Sequence, residues 1–137
     1  MIFDTSAVVG AVERRSPGLR AILEGAVERP AVSIVTLGEL HQGIALAVDD
    51  ESRARRQRSL QFAVRFELIG LTLATAEMFG RLSARLPRRV AVADRWIAAC
   101  ALVAGRTLVT QDRDLAEHLD RVSGDLGGLR TTYVPHT

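Results

Sequence analysis

The chain contains no lysine: all 18 of its basic residues are arginine. That absence excludes a Lys-dependent phosphate loop and any Schiff-base lysine. Cysteine is nearly absent too. Cys100 stands alone, so no internal disulfide can form, and within its apolar run it reads as a small core hydrophobe. The low cysteine usage fits a reducing compartment. Aromatic residues make up only 4% of the chain. A core must therefore come from Ala, Val, Leu and Ile, and few rings are left for stacking on nucleic-acid bases. Long apolar runs are missing as well. WIAACALVA is too short to span a bilayer, and MIFDTSAVV has no basic leader and carries Asp4 in its apolar stretch. A cytoplasmic protein without membrane contact is expected.

What is present fits one domain over residues 1–137. A hydrophobic content of 47% supports a sizeable core. The net charge of +2 is modest, but clustering of the acids would leave the rest of the surface more basic than that figure implies.

Strand-like and helix-like segments alternate. Residues 1–4 read as a short buried strand, and Thr5 and Ser6 offer hydroxyls to cap a helix over 6–14. Ser16-Pro17 opens a second helix that Pro30 ends. AVSIV is the next strand, followed by a helix over 36–48. Residues 49–65 begin with acids and continue with Arg, the order a helix dipole favours. ELIGL, TLVT and TTYV read as further strands, the last at an edge. LATAEMFGRLSARL, 91–104 and DRDLAEHL read as helices, the second buried on most faces. The alternation implies a parallel sheet covered by helices, with ligands bound at the carboxyl ends of its strands.

Four acids stand where apolar segments meet turns or helix starts: Asp4, Glu39, Asp94 and Asp112. Each has an ordinary explanation. Thr36 and Glu39 fit a capping box that puts Glu39 in the first helical turn. Asp4 and Asp112 fit helix N-caps, and Asp94 suits a helix start. Together they suggest more, because Asp94 and Arg95 are the only charges in an otherwise apolar helix. Two carboxylates about 4 Å apart repel by roughly 4 kcal/mol at an effective dielectric near 20. Four converging carboxylates would raise one another's pKa unless a cation neutralised them. An all-oxygen set suits Mg²⁺ or Mn²⁺ rather than zinc, and His41, His118 and His136 show no ligand spacing and read as surface residues. Ser6, Ser33 and Thr110 lie beside the acids as potential hydrogen-bonding partners.

These residues carry a family likeness. DTSAVV, SIVTLGEL, ADRWIAACAL and TLVTQDRDL, in that order and spacing, resemble the PIN-domain nucleases, specifically the VapC-type toxins of prokaryotic toxin–antitoxin pairs. The resemblance implies a compact three-layer α/β/α sandwich with a mainly parallel sheet. It implies a Mg²⁺- or Mn²⁺-dependent endoribonuclease whose metal is held by Asp4, Glu39, Asp94 and Asp112, with Asp114 able to join. Ser6 and Thr110 would support that site. It further implies a homodimer and a VapB-type antitoxin that lays a basic side chain into the acidic site. Arg88, Arg89, Arg95 and Arg113 lie near these acids and become candidates for RNA phosphates. The run Arg53, Arg55, Arg56 and Arg58 reads as a solvated helix face. Rival readings are a non-catalytic module binding a basic peptide, a DNA-directed nuclease, and a phosphoryl-transfer domain, which the lack of Lys disfavours.

Overall fold

The computed structural model describes residues 1–136. Five strands form one sheet: β1 (Ile2–Phe3), β2 (Ala31–Ser33), β3 (Glu67–Ile69), β4 (Leu108–Thr110) and β5 (Thr131–Tyr133). Their order is β3-β2-β1-β4-β5, and every neighbouring pair is parallel. Ile2 pairs with Ala31 on one side and Leu108 on the other. β5 is an edge strand, as its position in the sequence suggested. The three central strands are wholly buried, which explains why they read as unbroken apolar runs rather than alternating ones.

Seven helices surround the sheet: α1 (Thr5–Val12), α2 (Pro17–Glu24), α3 (Ile34–Ala45), α4 (Asp50–Ala63), α5 (Leu73–Arg85), α6 (Val92–Ala104) and α7 (Arg113–Val122). Side-chain alternation along the strands divides the core in two. Ile2, Ala31 and Leu108 face a cluster with Leu82, Ile97 and Leu119, from α5, α6 and α7. Phe3, Val32 and Val109 face a second cluster with Val8, Leu19, Leu40 and Ala63, from α1 to α4. The result is an α/β/α sandwich. α6 carries five consecutive buried residues, Ile97–Ala101, in agreement with its apolar sequence. It ends at Gly105 in the left-handed conformation, φ 65°, which a side chain would strain.

The chain steps from β1 outward through β2 to β3, then crosses back to β4. The topological switch therefore lies between β1 and β4, the crevice where ligands of open parallel sheets bind. Asp4 follows β1 and Asp112 follows β4, one on each side of it.

One local expectation is corrected, and one choice between candidate caps is decided. α3 starts at Ile34 with Ser33 as its N-cap, whose hydroxyl accepts from Val35 N at 3.0 Å. Thr36 is thus inside the helix, and Glu39 sits in its second turn, outside any capping box. α1 is capped by Asp4 rather than by Thr5 or Ser6. The carboxylate wins because it can accept from the Ala7 amide while also taking the Ser6 hydroxyl.

Candidate active site

Asp4 is 2% exposed and anchors the site. Its Oδ1 accepts from Ala7 N at 2.8 Å and from Ser6 Oγ at 2.7 Å, and its Oδ2 accepts from Thr110 Oγ1. The Thr110 hydroxyl in turn accepts from Asp112 N at 3.0 Å, and Ser6 Oγ accepts from Gln111 N at 3.0 Å. Two hydroxyls thereby bolt the end of β1 to the end of β4, and fix where Asp4 and Asp112 stand. Burial pushes the Asp4 carboxyl above the usual carboxylate range; the bonds from Thr110, Ser6 and Ala7 oppose that rise, and the Asp112 charge adds to it.

Asp112 caps α7, its Oδ1 accepting from Leu115 N at 3.1 Å. The ordinary explanations of Asp4 and Asp112 are therefore both true, yet each carboxylate does more than cap. Asp94 caps nothing. It lies in the first turn of α6, and among the described residues no donor holds its carboxylate. Burial, then the charges of Asp4, Glu39 and Asp112, push its pKa up to about 7. Those three named charges identify its neighbours: the helices and strand ends bring all four acids into one electrostatic group.

Glu39 reaches this group from α3, and its Oε1 accepts from Thr5 Oγ1 at 2.5 Å. Thr5 Oγ1 also lies 3.3 Å from the buried Thr36 hydroxyl. Asp114 is in the first turn of α7 and lines the same cleft as Asp94 and Asp112, a cavity of about 220 Å³. It is absent from the charges that perturb Asp94. A second cavity, about 570 Å³, adjoins Asp112 and Asp114 on the side of α1.

The donor chemistry fits a hard divalent cation: every acid offers oxygen, and Asp94 carries repulsion that a cation would remove. Among the described residues, however, no three of His, Cys, Asp and Glu are drawn together closely enough to hold an ion as they stand. Both observations hold, because Coulomb coupling reaches further than a coordination bond. Asp94, Asp112 and Asp114 share a cleft, and Asp4 and Glu39 act on it through charge, without forming a closed cage.

The other sequence candidates separate. Arg95 gives its guanidinium to the carbonyls of Val90, Arg88 and Pro87, so it braces the loop before α6 rather than facing outward. Arg113 lies over the Tyr133 ring at 5.7 Å. Arg89 lines the acid cleft, while Arg88 does not. His118, read as a surface residue, is 8% exposed and also lines that cleft. It stands four residues after Asp114, on the same helix face, a spacing that could have revealed it. Gln111 and Arg14 escaped notice too: Gln111 is 4% exposed, and its amide oxygen accepts from Arg14 Nη2 at 2.7 Å. In α4, Arg53 pairs with Asp50 at 2.9 Å and Arg55 lies 3.7 Å from both Glu13 and Glu51, as suits a solvated face. A further cavity, about 700 Å³, lies apart between α1, α2 and α4. Four arginines and one acid, Glu24, line it, so it offers no acidic cluster.

Comparison with known proteins agrees with this arrangement. Ribonuclease VapC4 of Mycobacterium tuberculosis is 43% identical over 88 residues, which are 62% of this chain and 68% of that protein. Ribonuclease VapC5 of the same organism is 36% identical over 92 residues, 65% of this chain and 68% of that protein. Among solved structures, VapBC-5 of M. tuberculosis, a member of the VapBC family of toxin-antitoxin systems, gives a TM-score of 0.76 at 28% identity, covering 97% of both chains. DNA-bound VapBC from Salmonella typhimurium gives 0.76 at 22% identity over 96% of both, a likeness of fold alone. The PIN domain model matches residues 1–121, a span that holds Asp4, Glu39, Asp94, Asp112 and Asp114 and all but the last residue of α7. The chain belongs to the PIN domain family.

Proposed function

We propose that this protein is a divalent-metal-dependent endoribonuclease, acting as the toxin of a toxin–antitoxin pair. The observation that carries the reading is the set Asp4, Glu39, Asp94 and Asp112 near the switch point of the sheet, with Asp94 raised to about 7 by burial and then by the charges of the other three. Relatives named as ribonucleases and a neighbour described as a member of a toxin–antitoxin family support the activity and the antitoxin partner.

Asp4, Asp94 and Asp112 would hold Mg²⁺ or Mn²⁺, with Glu39 and Asp114 beside them. When bound, the ion supplies charge neutralisation at the phosphodiester and a water made more acidic for attack. The chain's own groups do the positioning. Ser6 and Thr110 fix the Asp4 carboxylate, the Leu115 amide fixes one oxygen of Asp112, and Thr5 fixes one oxygen of Glu39. Among the described residues no donor occupies either oxygen of Asp94. No side chain of the cleft is needed as a nucleophile. A homodimer and a basic antitoxin side chain laid into the cleft belong to the same reading.

The capping roles of Asp4 and Asp112 favour one rival, a binding module without catalysis. Titrating Mn²⁺ into the antitoxin-free protein separates the two. The nuclease reading expects a rise in Tm that Asp94→Asn abolishes, together with Mn²⁺-dependent cleavage of RNA. No rise in either protein would leave the binding module as the better account.

A further inference from the structure

Two openings meet at Asp112 and Asp114, and each contains one arginine tied down by a buried polar side chain. On the α1 side, Gln111 accepts from Arg14 Nη2 through Oε1 and donates through Nε2 to Pro135 O at 3.1 Å and Ser16 Oγ at 3.4 Å. Arg14 Nη2 also donates to Ser6 O at 3.0 Å. On the α6 side, Arg89 Nη2 lies 3.0 Å from His118 Nε2. An arginine only donates, so His118 Nε2 accepts from Arg89, while Arg121 Nη1 lies 3.4 Å from Nδ1 on the other side of the ring. Among the described residues neither Arg14 nor Arg89 has a carboxylate within 4.0 Å. Their positions are fixed while their charges remain uncommitted. Arg95, by contrast, is bound to three carbonyls.

Building on the ribonuclease reading, we propose that Arg14 and Arg89 are phosphate clamps for single-stranded RNA on opposite sides of the acid cluster, with Gln111 and His118 as their positioning residues. The polyanion would otherwise be repelled by the acids it must approach, and a fixed cation on each side offsets that repulsion at the flanking phosphates. The larger opening, about 570 Å³, has the size of a small-molecule site and admits a nucleotide; Arg113 and His136 also line it. The smaller, about 220 Å³, suits backbone rather than a base. Both positioning residues lie on the β4–α7 segment that carries Asp112 and Asp114, so one rigid piece of chain sets acids and clamps together.

The test uses a fluorescein-labelled, mixed-sequence twelve-nucleotide RNA and fluorescence anisotropy in Mg²⁺ buffer at several salt concentrations, with Asp94→Asn as parent protein. Adding Arg14→Ala or Arg89→Ala should weaken binding about tenfold and lower the salt slope by about 0.7 for each lost phosphate contact. His118→Ala, which keeps Arg89, should weaken binding about threefold; His118→Gln, whose amide oxygen still accepts, should restore it. With Asp94 intact, His118→Ala should raise KM and leave kcat within about twofold, the pattern of lost uniform binding. Unchanged affinity and slope in both arginine variants would overturn the clamps, as would equal behaviour of His118→Ala and His118→Gln. A parent protein that binds no RNA overturns them too. The ribonuclease reading falls with them only if the wild type also shows no Mn²⁺-dependent rise in Tm and no RNA cleavage.

Discussion

The two ends of the sheet treat charge in opposite ways. At the amino end, where strands begin, Arg106 sits just before β4 and pairs with Glu67 of β3 at 2.5 Å, and also donates to Arg29 O. Opposite charges meet and the chain neutralises itself. At the carboxyl end, Asp4, Glu39, Asp94 and Asp112 gather with no cation of the chain paired to them among the described residues. Both ends lie on the same short strands and share the same cores. The difference is that one end pairs its charges within the chain and the other gathers charges of one sign. Unneutralised like charge in a folded chain costs stability, so its presence at the switch crevice favours the proposal that this end takes a partner.

The comparison breaks most sharply at Asp94. Asp94→Asn keeps the shape of the side chain and removes the acid whose oxygens no donor occupies among the described residues. RNA cleavage should fall by about a hundredfold or more, as for loss of a group acting in the transition state. The Mn²⁺-dependent rise in Tm should vanish with it. Full activity in the variant would sink the assignment of the carboxyl end.

Next in size are changes that loosen the carboxyl end without touching an acid. A Cβ at Gly10 would lie 1.9 Å from Gln111 Oε1, with Leu19 Cδ1 at 2.8 Å, so α1 can cross the Gln111 amide only because position 10 has no side chain. Gly10→Ala should destabilise by about 1–3 kcal/mol, the range for overpacking. Thr110→Val removes the donor to Asp4 and the acceptor for Asp112 N in one step, leaving buried polar groups unpaired. A loss of about 1–3 kcal/mol in urea unfolding is expected. Weaker Mn²⁺ affinity should accompany it, since Asp4 and Asp112 lose their common tether. Thr110→Ser, which keeps the hydroxyl, should recover most of both.

The pH dependence of the metal-free protein sharpens the contrast further. Asp94 titrates at about 7 when folded, against 3.8 for an unperturbed Asp. The folded state therefore binds more protons than the unfolded state between those values, and stability falls as pH rises through that window. Below the lower value both states are protonated and the penalty is absent; above the upper value it is complete. Asp4, also raised, acts in the same direction. Because Asp94 is partly exposed, the fall attributable to it should be about 1–2 kcal/mol rather than the full linkage value. Chemical denaturation between pH 5 and 8 checks this: Asp94→Asn should show a shallower decline than the wild type, and saturating Mn²⁺ should flatten the wild-type curve.

Much of this architecture was legible in the residues, and the exceptions have physical reasons. The buried strands and the helices announced themselves because central parallel strands are apolar throughout and Pro17, Pro30 and Pro87 punctuate the chain. The mutual coupling of the four acids was hinted at because each stands where an apolar segment meets a turn or a helix start. What could not be read was which competing donor or acceptor wins. Asp4, Thr5 and Ser6 can all cap α1, and only the packing of β1 against β4 decides for Asp4. Thr36 and Glu39 have capping-box spacing, but Ser33 starts the helix a full turn earlier, and Glu39 turns instead to Thr5. Gln111 gave no signal of its own, since a polar residue at a strand end looks like surface until its partner is known, and His118 had only its spacing from Asp114 to mark it. Their partners, Arg14 and Arg89, are far away in sequence.

The smallest expected effect tests the amino end. Arg106→Ala removes the pair with Glu67, whose side chains are 22% and 42% exposed, so the Coulomb gain is largely screened. The change should cost about 0.5–1 kcal/mol in urea unfolding, including the bond to Arg29 O. It should leave Mn²⁺ affinity and cleavage at wild-type values, because Arg106 lies before β4 and the acids lie beyond its far end. A matching loss of metal affinity would show that the two ends are coupled through β4. The division between a self-neutralised end and an end of like charge would then have to be replaced by one cooperative unit running the length of the strand.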